Sequence, residues 1–182
     1  MIKLIATDID GTLVKDGTLI IDPEYMTVIS KLIDKGIIFT VCSGRQFSSE
    51  QKLFAPIKDK LMYITDGGTV VRTPDRILKT YPMSNELWKD MCRMVRDELP
   101  ACDYFAASPD LCYAEDGASP IFHRLRDSYG FEMREIDDLT KLENDDIIKF
   151  TVYHPDSCEE LCSPHFIPAW KDKAHVTSAG KE

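Results

Sequence analysis

The stretch "IATDIDGTLV", residues 5–14, decides how the rest of the chain is read. An apolar, β-branched run ends in two aspartates, Asp8 and Asp10, separated by one residue and followed by Gly11-Thr12. On its own an Asp-x-Asp is a solvated turn. At the mouth of an apolar strand, with glycine next, the pair becomes two carboxylates fixed beside a tight turn whose amides point inward. Such a pair can ligate a hard cation such as Mg²⁺ through oxygen. Alternatively, one carboxylate attacks phosphorus while the other moves protons. The two uses fit together. A carboxylate nearing a phosphate dianion meets about 4 kcal/mol of repulsion per charge pair at ~4 Å and an effective dielectric near 20, an obstacle that a bridging cation removes.

Working outward, Ile2 to Thr7 reads as a strand buried on both faces. Gly17 and the residues after it suggest a small flap. Asp22 is an N-cap, with Pro23 at the first helical position and Glu24 in the first turn. Met26, Val28, Ile29, Leu32 and Ile33 make one apolar face, and Gly36 closes the helix. Residues 37–42 form a second strand ending at Ser43-Gly44-Arg45, and a short helix through 50–54 stops near Pro56. Residues 61–65 form a third strand ending at Asp66-Gly67-Gly68. Strands separated by helices describe parallel βαβ units, and ligands of such sheets sit outside the carboxyl ends of the strands. Asp8, Asp10, Ser43, Gly44, Arg45 and Asp66 all collect there.

Beyond two strands at 69–72 and 77–81, the character changes. Ser84 opens a helix to about Glu98, with Leu87, Met91, Met94 and Val95 facing inward. Strands at 104–107, 111–115, 131–136 and 147–153 follow, with helical patches near 119–129 and 156–162 and a late strand carrying His175. Without regular βα alternation this is an α+β module, which places a core at 1–82 and an inserted module at 83–182.

The formal net charge of −9 excludes non-specific nucleic-acid binding, which needs a basic surface. No apolar run approaches a membrane span, and "MIKLIATD" is too short in apolar residues for a secretory leader. The six cysteines contain no Cys-x-x-Cys, so they are expected as reduced thiols in the cytoplasm. The four histidines suggest no Ser/His/Asp order and are expected to be structural.

"DIDGTLV" after an apolar strand resembles the first motif of the haloacid dehalogenase-like (HAD) superfamily, and "TVCSGR" resembles its second. Ser-Gly-Arg and a large insertion after the third strand are similar to the Cof-type branch of sugar-phosphate phosphatases. The resemblance implies an α/β fold with a Rossmann-like parallel sheet and an inserted α+β cap. It implies Asp8 as the nucleophile that forms an aspartyl-phosphate and touches Mg²⁺. Asp10 would give its backbone carbonyl to the metal and use its side chain as acid, then base. Gly11 and Thr12 would shape the loop, Ser43 and the Gly44 amide hold phosphate oxygens, and Arg45 face the substrate or the cap. Asp66 stands where this branch has asparagine, so no role is carried to it. The implied substrate is a small phosphorylated metabolite, with no nucleic acid and no membrane.

Two further elements of the family, a lysine that neutralises the phosphoryl group and a Gly-Asp-x-x-Asn-Asp signature, are not found. The expectation is therefore an incomplete core, a C-terminally truncated hydrolase of little or no activity, whose first strand is an apolar edge covered by homo-oligomerisation. Two alternatives stay open: a non-catalytic, self-associating fragment, and a phosphomutase of the same superfamily.

Overall fold

The computed structural model describes residues 2–15, 19–143 and 146–178. Strands β1 (Leu4–Asp8), β2 (Ile38–Cys42) and β3 (Met62–Thr65) run parallel, in register from Leu4 opposite Ile38 to Asp8 opposite Cys42. Strands β4 (Val70–Arg72) and β5 (Ile77–Thr80) then double back antiparallel, giving one sheet of order β1-β2-β3-β4-β5. Gly17, on which the flap was expected, lies outside the described residues.

Helix α1 (Pro23–Asp34) begins and ends where its sequence dictates. The Asp22 carboxylate accepts from the Glu24 N–H at 2.8 Å, Pro23 fills the first turn, and Gly36 takes φ +80° just past the end. A cap of this kind contributes about 1 kcal/mol. Ile29 is buried, and with Phe39, Val41, Leu53, Phe54, Leu61 and Tyr63 it forms the core between α1, α2 (Phe47–Leu53) and the first sheet.

A second sheet has the order β8-β7-β6-β9, from β6 (Asp103–Ala107), β7 (Cys112–Ala114), β8 (Met133–Glu135) and β9 (Lys149–Tyr153). Its helices are α3 (Asn85–Glu98), α4 (Pro120–His123) with a π-helical turn at Arg124–Ser128, α5 (Cys158–Leu161) and α6 (Ser163–Trp170). The Ser84 hydroxyl caps α3 by accepting from Leu87 N–H at 3.3 Å. Trp88, Met91, Cys92 and Val95 are buried, so the stripe expected from Leu87, Met91, Met94 and Val95 extends to an aromatic residue. Tyr104, Ala106, Phe150 and Val152 face α3 and α6, while Phe105, Ala107, Cys112 and Ala114 pack with Ile121 and Phe122 of α4 on the other face.

Two readings of the sequence are corrected. β1 is not buried on both faces: it is the edge strand, and Leu4 keeps 53% and its register partner Ile38 50% of their surface. The reason is that among the described residues no element covers the face carrying Leu4, Ala6 and Asp8. Nor does His175 lie on a strand. Helical structure continues through α6, the Lys173 and Ala174 N–H groups fold back onto the Trp170 carbonyl at 2.9 Å, and 175–178 is irregular.

Candidate active site

Asp8 is the last residue of β1 and stands exposed directly beside the end of β2. The loop after it is closed on one carbonyl, because Ile9 O accepts from the N–H groups of Thr12, Leu13 and Val14 at 3.2, 2.8 and 3.0 Å. Gly11 makes this possible by taking φ +74°, and its own N–H donates to Val14 O at 2.9 Å. The Gly11 and Thr12 amides are thus spent within the turn, and their contribution is its shape. The Thr12 hydroxyl reaches Asp8 Oδ2 at 3.5 Å.

The Ser43-Gly44-Arg45 segment is locked to the end of β3. Ser43 N–H donates to Ile64 O at 3.0 Å, Gly67 N–H to Ser43 O at 3.0 Å, and Asp66 N–H to Arg45 O at 2.9 Å. The Ser43 hydroxyl lies 3.4 Å from Asp10 Oδ2 and accepts from Arg45 N–H at 3.1 Å. Arg45 grips Asp10 with two hydrogen bonds, Nε to Oδ2 at 2.8 Å and Nη2 to Oδ1 at 2.6 Å, with its side chain only 4% exposed. Such a parallel pair is the strong, geometrically specific form of a carboxylate–guanidinium contact. The structure thus places Asp8, Asp10, Ser43, Gly44 and Arg45 at neighbouring strand ends.

Two acids lie beneath this loop: Asp66, which the sequence places at the strand ends without a role, and Glu50, which its sequence did not single out. Asp66 is buried at φ +52°, accepts from the Thr65 hydroxyl at 2.9 Å, and is pushed up to about 6, mainly by burial, with Lys149, Thr65 and Arg72 pulling the other way. Glu50 of α2 is fully buried, with no hydrogen-bond partner for either carboxylate oxygen among the described residues. Burial, then Asp66 and Asp10, raise it well above the ordinary carboxylate range against the pull of Arg45. Burial of this kind favours the neutral form of a carboxyl.

The second sheet's unit closes over the same loop. Gln46 exchanges two hydrogen bonds with the Glu132 backbone, Oε1 accepting at 2.6 Å and Nε2 donating at 3.3 Å. Ser48 Oγ and Lys52 Nζ both donate to Gly130 O, at 3.0 and 2.8 Å. The Tyr129 ring lies 5.3 Å from the Arg45 guanidinium, and Lys149 Nζ donates to Gly44 O at 3.0 Å. Arg72, stacked 3.6 Å over Phe47, reaches Asp110 at 2.5 Å. None of these tying residues has a local sequence signal; only the packing of the second sheet's unit against the loop and α2 brings them together. A cavity of about 630 Å³ lies away from the carboxylates, between β5 and the turn through Ser108–Leu111.

Among the described residues no group of three or more His, Cys, Asp or Glu stands ready for a metal ion. What the chain offers a cation is the exposed Asp8 carboxylate and the Asp10 backbone. These are hard oxygen donors of the number Mg²⁺ takes from a protein when water and phosphate oxygens supply the rest.

Residues 5–182 match the description of a haloacid dehalogenase-like hydrolase. The chain is 80% identical to a Eubacterium rectale protein of known crystal structure, with a TM-score of 0.87, over 99% of this chain and 68% of that one. It superposes on TM0651 from Thermotoga maritima with a TM-score of 0.77 at 23% identity, over 99% of this chain and 67% of that one. It is 26% identical over 147 residues to the Escherichia coli protein named 5-amino-6-(5-phospho-D-ribitylamino)uracil phosphatase YbjI, covering 79% of this chain and 52% of that protein. The chain thus spans about half the length of that relative. With nearly the whole sequence matched, the chain belongs to the haloacid dehalogenase-like hydrolases.

Proposed function

We propose that the site performs Mg²⁺-assisted hydrolysis of small phosphomonoesters through an aspartyl-phosphate on Asp8. The observation that carries this reading is Asp8 standing exposed at the end of β1, while Ser43 and Arg45 gather on the neighbouring Asp10. In the first half-reaction an Asp8 carboxylate oxygen bonds to phosphorus as the ester P–O bond breaks, and Asp10 gives its proton to the departing alkoxide oxygen. In the second, water attacks the acyl phosphate, Asp10 takes the water's proton, and inorganic phosphate leaves. The Ser43 hydroxyl and Gly44 N–H hold the non-bridging oxygens. The Asp8 carboxylate and the Asp10 carbonyl would hold Mg²⁺, which would supply charge neutralisation for the attack on phosphate.

Arg45 has two states in this scheme. With no phosphate present it occupies Asp10 bidentately. An incoming phosphate competes for the same fork geometry, so substrate binding frees Asp10 for proton transfer. Residues 1–82 act as the catalytic core and 83–182 as a cap, a division supported by strands β1–β5 and β6–β9 belonging to separate sheets. The name of the Escherichia coli relative favours a polyol or sugar-like phosphate. No described helix is long and apolar enough to cross a membrane, and the six free thiols suit a reducing cytoplasm.

Turnover by this chain alone is proposed to be weak, because no Gly-Asp-x-x-Asn-Asp sequence occurs between residues 1 and 182. A second reading, a non-catalytic fragment that self-associates, is favoured by the uncovered face of β1 and β2 at Leu4 and Ile38. Hydrolysis of p-nitrophenyl phosphate with and without Mg²⁺, in this chain and its Asp8→Asn variant, separates the two. The enzyme reading expects a slow, Mg²⁺-dependent rate that Asp8→Asn abolishes. A rate indifferent to Asp8 overturns it.

A further inference from the structure

We propose that Lys149 is a specificity-determining residue, the group through which the second sheet recognises a hydroxyl or anionic oxygen on the alcohol part of the phosphate ester. This rests on the phosphatase reading above and deepens it.

The argument starts from strand register. In β9, Lys149 lies opposite Ala107 and Thr151 opposite Phe105. Phe105 and Ala107 belong to the face away from α3 and α6, whereas Phe150 and Val152 pack toward those helices. Side chains alternate along a strand, so Lys149 and Thr151 share the face that looks away from the helices. The 3.0 Å hydrogen bond from Lys149 Nζ to Gly44 O fixes which way that face looks: onto the loop between Ser43 and Arg45.

The chemistry of that contact is unbalanced. An ammonium has three donors. Lys149 gives one to a neutral carbonyl, and it forms no ion pair with the described residues. A half-buried cation whose hydrogen bond goes to a neutral carbonyl, with the buried Asp66 carboxyl attracting it, can exchange that carbonyl for a better acceptor. Charged hydrogen bonds to anionic or hydroxyl oxygens are worth more than one to a backbone carbonyl. There is room for such an acceptor, since nothing lies within 4 Å of where a Cβ on Gly44 would stand. The Gly44 amide faces the phosphate in the scheme above while its carbonyl meets Lys149, so the ammonium sits one peptide unit from the phosphorus site. Thr151, exposed two residues further along the same face and ~7 Å away along the strand, continues the polar track for a second hydroxyl. The ligand class this selects is a phosphate ester of a polyhydroxylated chain, not of a bare alkyl or aryl group.

The test is calorimetric or NMR titration of the 182-residue chain, with Mg²⁺, using ribitol 5-phosphate, n-pentyl phosphate and inorganic phosphate as probes. Lys149→Met is expected to weaken ribitol 5-phosphate binding about tenfold, equivalent to about 1.4 kcal/mol, and to change the other two less than about twofold. Lys149→Arg, which keeps the cation and guards against a merely misfolded variant, is expected to retain the preference for ribitol 5-phosphate. Equal loss on all three probes means Lys149 acts only through the general field of the site and overturns the proposal, as does no loss on any. If the parent chain binds none of the three, the phosphate site itself is misassigned and both readings fall.

Discussion

Replacing Asp66 by Asn should stabilise the protein at neutral pH and leave it unchanged in acid. Asp66 is buried, at φ +52°, with burial pushing its carboxyl from the ordinary 3.8 up to about 6. The sign follows from linkage. Below pH 4 the carboxyl is protonated folded and unfolded, and its ionisation contributes nothing. Between 4 and 6 the unfolded chain releases the proton while the folded chain holds it, so stability falls as pH rises, and above 6 the loss is complete. Each pH unit of that interval carries about 1.4 kcal/mol, so the gap from 3.8 to about 6 amounts to about 3 kcal/mol at pH 8. Asn keeps the acceptor for the Thr65 hydroxyl, tolerates the left-handed backbone and never ionises. What it gives up is the attraction of Lys149 and Arg72, which trims the gain. The assay is thermal unfolding by circular dichroism from pH 4 to 8.5 for both proteins. At about 2–4 °C per kcal/mol for a chain of this size, Asp66→Asn should melt roughly 6–10 °C higher at pH 8, with the curves merging near pH 4. A difference of the same size at every pH, or a variant less stable at pH 8, refutes the argument that a buried ionisation is the cause.

Two further outcomes follow from packing. Trp88 is 1% exposed and donates its indole N–H to Asn85 at 3.1 Å, so Trp88→Ala should cost about 3–5 kcal/mol in chemical denaturation. Leu4→Lys places a charge on the uncovered face of the edge strand and should shift the chain toward monomer in sedimentation velocity, without lowering its melting temperature by more than a few degrees.

How much of this was legible in the sequence depended on whether the determinant was local. The Asp22 cap, Pro23, and Gly36 set α1 within a residue, because capping and turn geometry are written in adjacent positions. The carboxylates and Ser43 were legible for a related reason: each ends a strand, and parallel strands bring their carboxyl ends to one side. Lys149 was not legible. Its meaning depends on pairing β9 to β6 and on placing that sheet over a loop 105 residues earlier, and no local pattern encodes either. Glu50 was hidden differently. A glutamate in the first turn of a short helix reads as solvated, and only the packing of α2 against the first sheet buries it.

The strand that ends at Asp8, the proposed nucleophile, is also where sequence and structure part most clearly. An apolar, β-branched run such as Leu4–Thr7 is what a strand between two neighbours and under two layers needs, and burial on both faces is the natural expectation. Among the described residues β1 instead has one neighbour, and Leu4 and Ile38 share an uncovered face. The residue types are thus more apolar than their surroundings here require. A sequence optimised for one environment and found in another identifies a surface that a further element satisfies, whether further chain or a second copy. The same face carries Asp8, because Leu4, Ala6 and Asp8 alternate onto it together. Whatever covers Leu4 therefore approaches Asp8 from its open side. On the proposed mechanism, an element seated on this face also borders the site at Asp8, and a catalytic rate that rises in step with occupancy of the face is the expected outcome.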